Sequence, residues 1–275
     1  MSDEALDVDA GDAFTEAFDS TQDTWVDTHG HLFLIETETS VVLDRAQARG
    51  VDWLVCPGVD VPTSEASRAL ANRFPSTVRW AAGLHPHEAE SWSESAERIA
   101  ELATEAHAVG ECGLDWYRNL APRASQLSAF KSQLQIAVDL EKPIIIHCRD
   151  AFRDLYDILE DAAIGEKAVL HCWTGGTRWT KRFDGLGVTF SFAGPLTYSK
   201  GETLRLGAAY APPERTMVET DSPYLTPEPV RGEPNEPANV MYTGGVLADV
   251  WGMSTKDVAR LTSATAARLF GDPRG

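Results

Sequence analysis

Short runs of Val, Ile and aromatic residues alternate with longer stretches of helical period along almost the whole chain. The strand-like runs are Thr24–Leu32, Val51–Val59, Val78–His87, His107–Trp116, Lys142–Cys148, Lys167–Trp173, Val188–Leu196 and Thr216–Tyr224. Each is bounded by Gly, Pro or charged residues, as strands usually are. Between them the period changes. In Arg123–Glu141, Leu127, Phe130, Leu134, Ala137 and Val138 recur at the spacing of one helical face. After the eighth run come a Pro-rich loop, Thr226–Pro237, and two helical stretches, about Ala238–Trp251 and Ser254–Phe270.

Eight strands alternating with helices predict an α/β protein of the (β/α)8, or TIM-barrel, type, in both count and length. The competing arrangement is a doubly wound open sheet. No Gly-x-Gly-x-x-Gly follows the first strand, which weakens the dinucleotide-binding version of it. The expected division is an acidic disordered tail over residues 1–23 and a single barrel domain over residues 24–275. The first 23 residues carry eight of the chain's 42 acids and no base, a composition that favours solvation over a core.

Composition narrows the partners. The formal charge is −18, with six Lys against eighteen Arg. No broad basic surface for duplex nucleic acid is expected, although a phosphate substrate is compatible with bound cations. No apolar run reaches the roughly 20 residues needed to cross a bilayer, and the N-terminus lacks the basic-then-apolar order of a signal peptide. A cytoplasmic monomer without membrane contact is expected. Such an acidic, lysine-poor surface also suits a salt-rich cytoplasm, an idea that fails if salt changes neither stability nor activity. Four cysteines without a Cys-x-x-Cys pair suggest neither a disulfide framework nor a zinc finger.

The chemistry-bearing residues fall where a barrel keeps its active site, at the C-terminal ends of strands. His29 and His31 end the first run, Glu111 the fourth, His147 the fifth, His171 the sixth and Asp221 the eighth. In "DTHGHL", residues two apart face the same side of a strand, so His29 and His31 point together, and Gly30 permits close backbone approach. Four imidazoles and two carboxylates at one mouth match a site for one or two divalent ions, with Zn, Mn, Co or Fe suited and Mg admitted by extra water ligands. Alternation turns Cys112, Cys148 and Cys172, each one residue past a ligand, toward the helices as small packing residues. It also places Asp27 and Glu219 inward; they either support the ligands or are turned outward by a bulge. His107 precedes its strand and reads as structural.

The strings "DTHGHL", "GLHPH", "GECGLDWYR", "IIIHCRD", "LHCWTGG" and "ETDSPYLTP" with "RGEPNEP" together resemble the TatD family of metal-dependent hydrolases, in the amidohydrolase superfamily, from about Asp27 to the C-terminus. The resemblance implies a barrel with one or two divalent ions and deoxyribonuclease activity, including cleavage from a 3′ end by a metal-bound hydroxide. It carries the ligand role onto His29, His31, Glu111, His147, His171 and Asp221, makes Glu111 and Asp221 catalytic, with Asp221 as the base, and gives His85 a substrate-side role. Glu111 stands where related phosphotriesterase-like barrels use a carboxylated lysine.

One departure concerns the substrate. The loop that usually reads Arg-Gly-Lys-Arg-Asn-Glu-Pro in the family is here Arg231-Gly232-Glu233-Pro234-Asn235-Glu236-Pro237, two bases poorer. Arg118 and Arg231 remain as phosphate contacts. Thr174 joins them from the loop into the next helix, whose free N–H groups favour an anion. The tryptophans read mainly as core or strand-end packing, with base stacking the alternative for Trp116 and Trp173 near the mouth. Single strands or 3′ ends are therefore the expected nucleic-acid substrate. The alternatives are a metal-dependent ester or amide hydrolase, such as an aminoacyl-tRNA deacylase, and a non-catalytic metal-binding barrel.

Overall fold

A computed structural model describes residues 24–275; the acidic segment of residues 1–23 lies outside them. Eight parallel strands form one sheet in sequence order: β1 (Trp25–Asp27), β2 (Val51–Pro57), β3 (Val78–Ala82), β4 (Ala108–Asp115), β5 (Ile144–Arg149), β6 (Ala168–Leu170), β7 (Thr189–Phe192) and β8 (Thr216–Val218). Nine α-helices follow among the described residues: α1 (Thr39–Ala48), α2 (Val61–Arg73), α3 (Trp92–Glu105), α4 (Arg123–Asp139), α5 (Phe152–Ala162), α6 (Thr177–Asp184), α7 (Glu202–Ala208), α8 (Val240–Trp251) and α9 (Thr255–Phe270). The arrangement is the expected TIM barrel. None of these helices is long and apolar enough to cross a membrane.

The strands are shorter than their apolar runs because the ends of those runs build the mouth. Backbone bonds close the barrel between its first and last strands. The Thr28 N–H donates to Val218 O (3.1 Å), Asp221 N–H to His29 O (2.8 Å) and His31 N–H to Ser222 O (2.8 Å). Asp27 reinforces this seam from inside. Its carboxylate accepts from the Thr220 N–H (2.9 Å) and hydroxyl (2.6 Å) and from the His29 N–H (3.2 Å). Burial pushes the Asp27 carboxyl up to about 7. Asp27 is therefore turned inward, with partners, rather than outward.

Residues from seven strands (Val26, Trp53, Val55, Ala81, Ala108, Ile145, Val169 and Met217) pack together with Ala266 and Phe270 of α9 and fill the barrel interior. Their neighbours in sequence, such as Leu54, Cys56, Val109 and Leu170, join the layer beneath the helices. This is the two-sided burial expected of a parallel sheet.

Two buried amides extend from α4 to the mouth. Gln133 accepts the Leu84 N–H (2.7 Å) and donates to Leu84 O (3.0 Å). Gln126 accepts the Asp115 N–H (2.8 Å) and donates to Ala121 O (2.9 Å). Seven residues apart, they lie on one helix face and hold the chain just before His85 and at Asp115.

Candidate metal centre

Glu111 occupies the centre of the mouth. It lies within β4, four residues before the strand ends, rather than at the terminus the sequence suggested. A bulge between Val109 and Cys112 interrupts the pairing with β5 there. The flanking glycines make the bulge possible. Gly110 and Gly113 have φ of +126° and +144°, and a Cβ on Gly113 would stand 2.0 Å from His147 O. Only glycine adopts such conformations at low cost.

The two oxygens of Glu111 face different partners. Oε2 lies 3.2 Å from His29 Nε2 and 3.7 Å from His31 Nε2. Oε1 lies 2.9 Å from His171 Nε2, 3.2 Å from His147 Nδ1 and 3.3 Å from His85 Nε2. Asp221 Oδ1 completes the first group, 3.4 Å from His31 Nε2. Two sets of ligand atoms are therefore compact enough for a cation: His29, His31 and Asp221, and His85, Glu111 and His147. A third combination joins His29, His171 and Glu219. His29 and His31 converge as expected, their Nε2 atoms 3.2 Å apart, although both lie beyond the end of β1.

The residues fit a divalent ion. Glu111 is only 3% exposed, and no Lys or Arg pairs with it or with Asp221 among the described residues. Buried carboxylates require a counter-charge, and imidazole with carboxylate is a donor set suited to divalent metals. Burial lowers His85 to about 4, which keeps its ring neutral and its lone pair available. Burial would raise Glu111 and Asp221, but the surrounding imidazoles outweigh it and hold both carboxyls below the usual range.

Three carboxylates behind the ring orient it. Glu219 Oε1 faces His171 Nδ1 at 3.2 Å and accepts the Cys172 N–H at 2.6 Å. Asp27 holds the seam under His29. Asp115, to which the sequence analysis gave no role, places Oδ2 at 3.1 Å from His147 Nε2 and 3.0 Å from His87 Nε2. Burial alone would raise Asp115, yet its bonds with His147, the Arg118 N–H and His87 hold it far below the ordinary carboxylate range. A signal was present: Glu111, Gly113 and Asp115 alternate along one strand face.

A cavity of about 830 Å³ opens over this cluster. His85, Arg118 and Thr174 line it with the cluster residues. Arg231 is not among the lining residues. Its guanidinium lies 4.6 Å from the Tyr198 ring centre and 3.6 Å from Glu228, drawn aside by that acid and ring. The two candidate stacking tryptophans are otherwise engaged. Trp173 is 2% exposed and donates its indole N–H to Thr180, while Trp116 donates to Asp154 beneath the Arg123 guanidinium. Cys112 packs in the core as expected, and Cys148 packs there too but also borders the cavity. Cys172 does not pack there: β6 ends at Leu170, Cys172 takes φ +43°, and it lines the cavity. Alternation fails there because the chain has left the strand.

Comparison with known proteins agrees with this geometry. The model of the TatD related DNase family matches residues 26–271. An uncharacterized metal-dependent hydrolase of Bacillus subtilis is 33% identical, over 89% of this chain and 98% of its own. The 3′-5′ ssDNA/RNA exonuclease TatD of Citrobacter rodentium is 36% identical, over 84% and 90%. Among solved structures, a TatD homolog from Escherichia coli superposes with a TM-score of 0.83 at 26% identity, covering 90% of this chain and 97% of that one.

Proposed function

We propose, for a chain that belongs to the TatD related DNase family, the divalent-metal-dependent hydrolysis of phosphodiester bonds in single-stranded nucleic acid, including attack from a 3′ end. The observation that carries this reading is Glu111, whose two oxygens face two separate sets of ligand atoms. His29, His31 and Asp221 would hold one divalent ion, and His147 and His171 a second, with Glu111 shared between them. His85 is a further donor on the second side. Bound there, such ions lower the pKa of water and offset charge on phosphoryl oxygens.

The chain's own residues supply the rest. Asp221, ionised at neutral pH, accepts the proton of the attacking water on a carboxylate oxygen; a positioned carboxylate suffices when that water is acidified. Arg118 and Thr174 bind the non-bridging phosphate oxygens. Helix α6 begins just past Thr174, and its cap Gly176 has no side chain, which leaves the first N–H groups of the helix free for an anion. Glu219 and Asp115 fix the rings of His171 and His147, so that one nitrogen of each is committed to a carboxylate and the other faces inward.

Side-by-side assays with each metal added back test the reading. The purified protein should cleave single-stranded DNA or RNA and leave aminoacyl esters intact. Ester cleavage without nuclease activity would replace this reading with that of a deacylase, which the engaged Arg231 favours.

A further inference from the structure

The cavity wall at the ends of β4 and β5 sets two residues that bond cleavage does not use, Tyr117 and Arg149, beside the phosphate contact Arg118. Tyr117 lines the cavity and is 61% exposed, unusual for a large aromatic ring. The Arg149 guanidinium, from the last residue of β5, lies 3.9 Å from its ring centre. In an acidic chain of 42 Asp and Glu, neither Arg149 nor Arg118 forms an ion pair among the described residues, and both line the cavity. The lining acids Glu111, Asp115 and Asp221 face imidazoles instead; Glu88 and Asp150 complete the acidic lining. The wall is also rigid. Asp115 Oδ1 accepts the Tyr117 N–H (2.9 Å) and the Arg118 N–H (2.7 Å), and the Trp116 N–H donates to Arg149 O (2.8 Å).

We propose that Tyr117, Arg118 and Arg149 form a nucleotide subsite beside the metal centre, in which an unpaired base stacks on Tyr117 and its phosphate pairs with the two arginines. The subsite rests on the nuclease reading and deepens it by stating how single strands are chosen. A base reaches the ring of Tyr117 only when it is unstacked from its neighbours. A ring fixed in advance by a guanidinium on one face loses little freedom when a base covers the other. Arg118 and Arg149 put two cations on the β4 and β5 side of the mouth, while the loop after β8 is two bases poorer than the family pattern.

The test uses the metal-loaded protein and a fluorescent, phosphorothioate-linked single-stranded oligonucleotide, with binding read by anisotropy. Tyr117→Ala should weaken binding about tenfold, and Tyr117→Phe should leave it unchanged. Against an abasic oligonucleotide of equal length, Tyr117→Ala should have no effect. Arg149→Gln should weaken both ligands and flatten the salt dependence, and blunt duplex should bind more weakly than single strand. Equal losses on normal and abasic strands, or wild-type binding by Arg149→Gln, would overturn the subsite. A wild-type protein that binds through Tyr117 but cleaves no nucleic acid keeps the subsite and removes the nuclease reading. A working nuclease whose Tyr117→Ala and Arg149→Gln variants bind like wild type does the reverse.

Discussion

Glu219 and His171 are joined by a 3.2 Å contact between a fully buried carboxylate oxygen and Nδ1 of the ring. The same oxygen accepts the Cys172 N–H, so it is held in place and in turn fixes the imidazole. A carboxylate on that side favours the Nδ1 proton and leaves Nε2 facing the centre. Loss of such a partner typically costs 10- to 100-fold in metal affinity. Glu219→Gln should therefore bind the activating metal about 10- to 100-fold more weakly, measured by calorimetric titration of the stripped protein. Unchanged affinity would show that His171 needs no such orientation.

Glu111→Ala and Asp221→Ala should fold with normal circular dichroism and lose nearly all hydrolysis. For Asp221 the loss of the base alone is worth about 10²- to 10⁴-fold. Removal of metal by a chelator should have the same effect and be reversed by adding metal back. Full activity in either variant, or in stripped protein, contradicts the mechanism.

His107 lies at the start of β4, away from the mouth, and accepts the Trp80 N–H on Nδ1 (3.3 Å). Burial, with Arg79 adding to it, lowers its folded pKa to about 4 from an ordinary 6.5. The unfolded chain then binds the extra proton between those values, so this group's contribution to stability is complete above about pH 6.5. It falls away as pH drops toward 4. The melting temperature of His107→Gln relative to wild type should rise across that window as pH is lowered. A constant difference would mean that His107 titrates normally.

Gln133→Ala would leave the buried N–H and C=O of Leu84 unpaired. An unsatisfied buried group costs about 1–3 kcal/mol, and urea unfolding should show a loss of at least that size. The same variant should raise KM, because the displaced segment carries His85 and His87. A loss below about 0.5 kcal/mol would mean that water replaces the amide.

The barrel was legible because short apolar runs and helical runs alternate eight times, and the ligand positions followed from where His and acids end those runs. His29 and His31 converge as alternation requires. The failures have local causes. Glu111 sits mid-strand because two glycines bulge β4, and no periodicity marks a bulge. Cys172 lies in a turn where strand rules do not apply. Arg231 was placed by its position in the family's loop pattern, which does not register its neighbours Glu228 and Tyr198. Gln126 and Gln133 were invisible because polar residues on a helix ordinarily face solvent; here they face inward as backbone partners.

Those two amides give α4 the character of a ruler. One rigid helix measures the spacing between the loop after β3 and the end of β4, and clamps both through main-chain atoms. His85, His87 and Asp115, with Tyr117 and Arg118 behind it, must then travel as one piece. With that side clamped, breathing of the mouth should concentrate on the opposite side, where the loop after β8 departs from the family pattern. Substitutions that retune the choice of substrate without disturbing the metals should accumulate there.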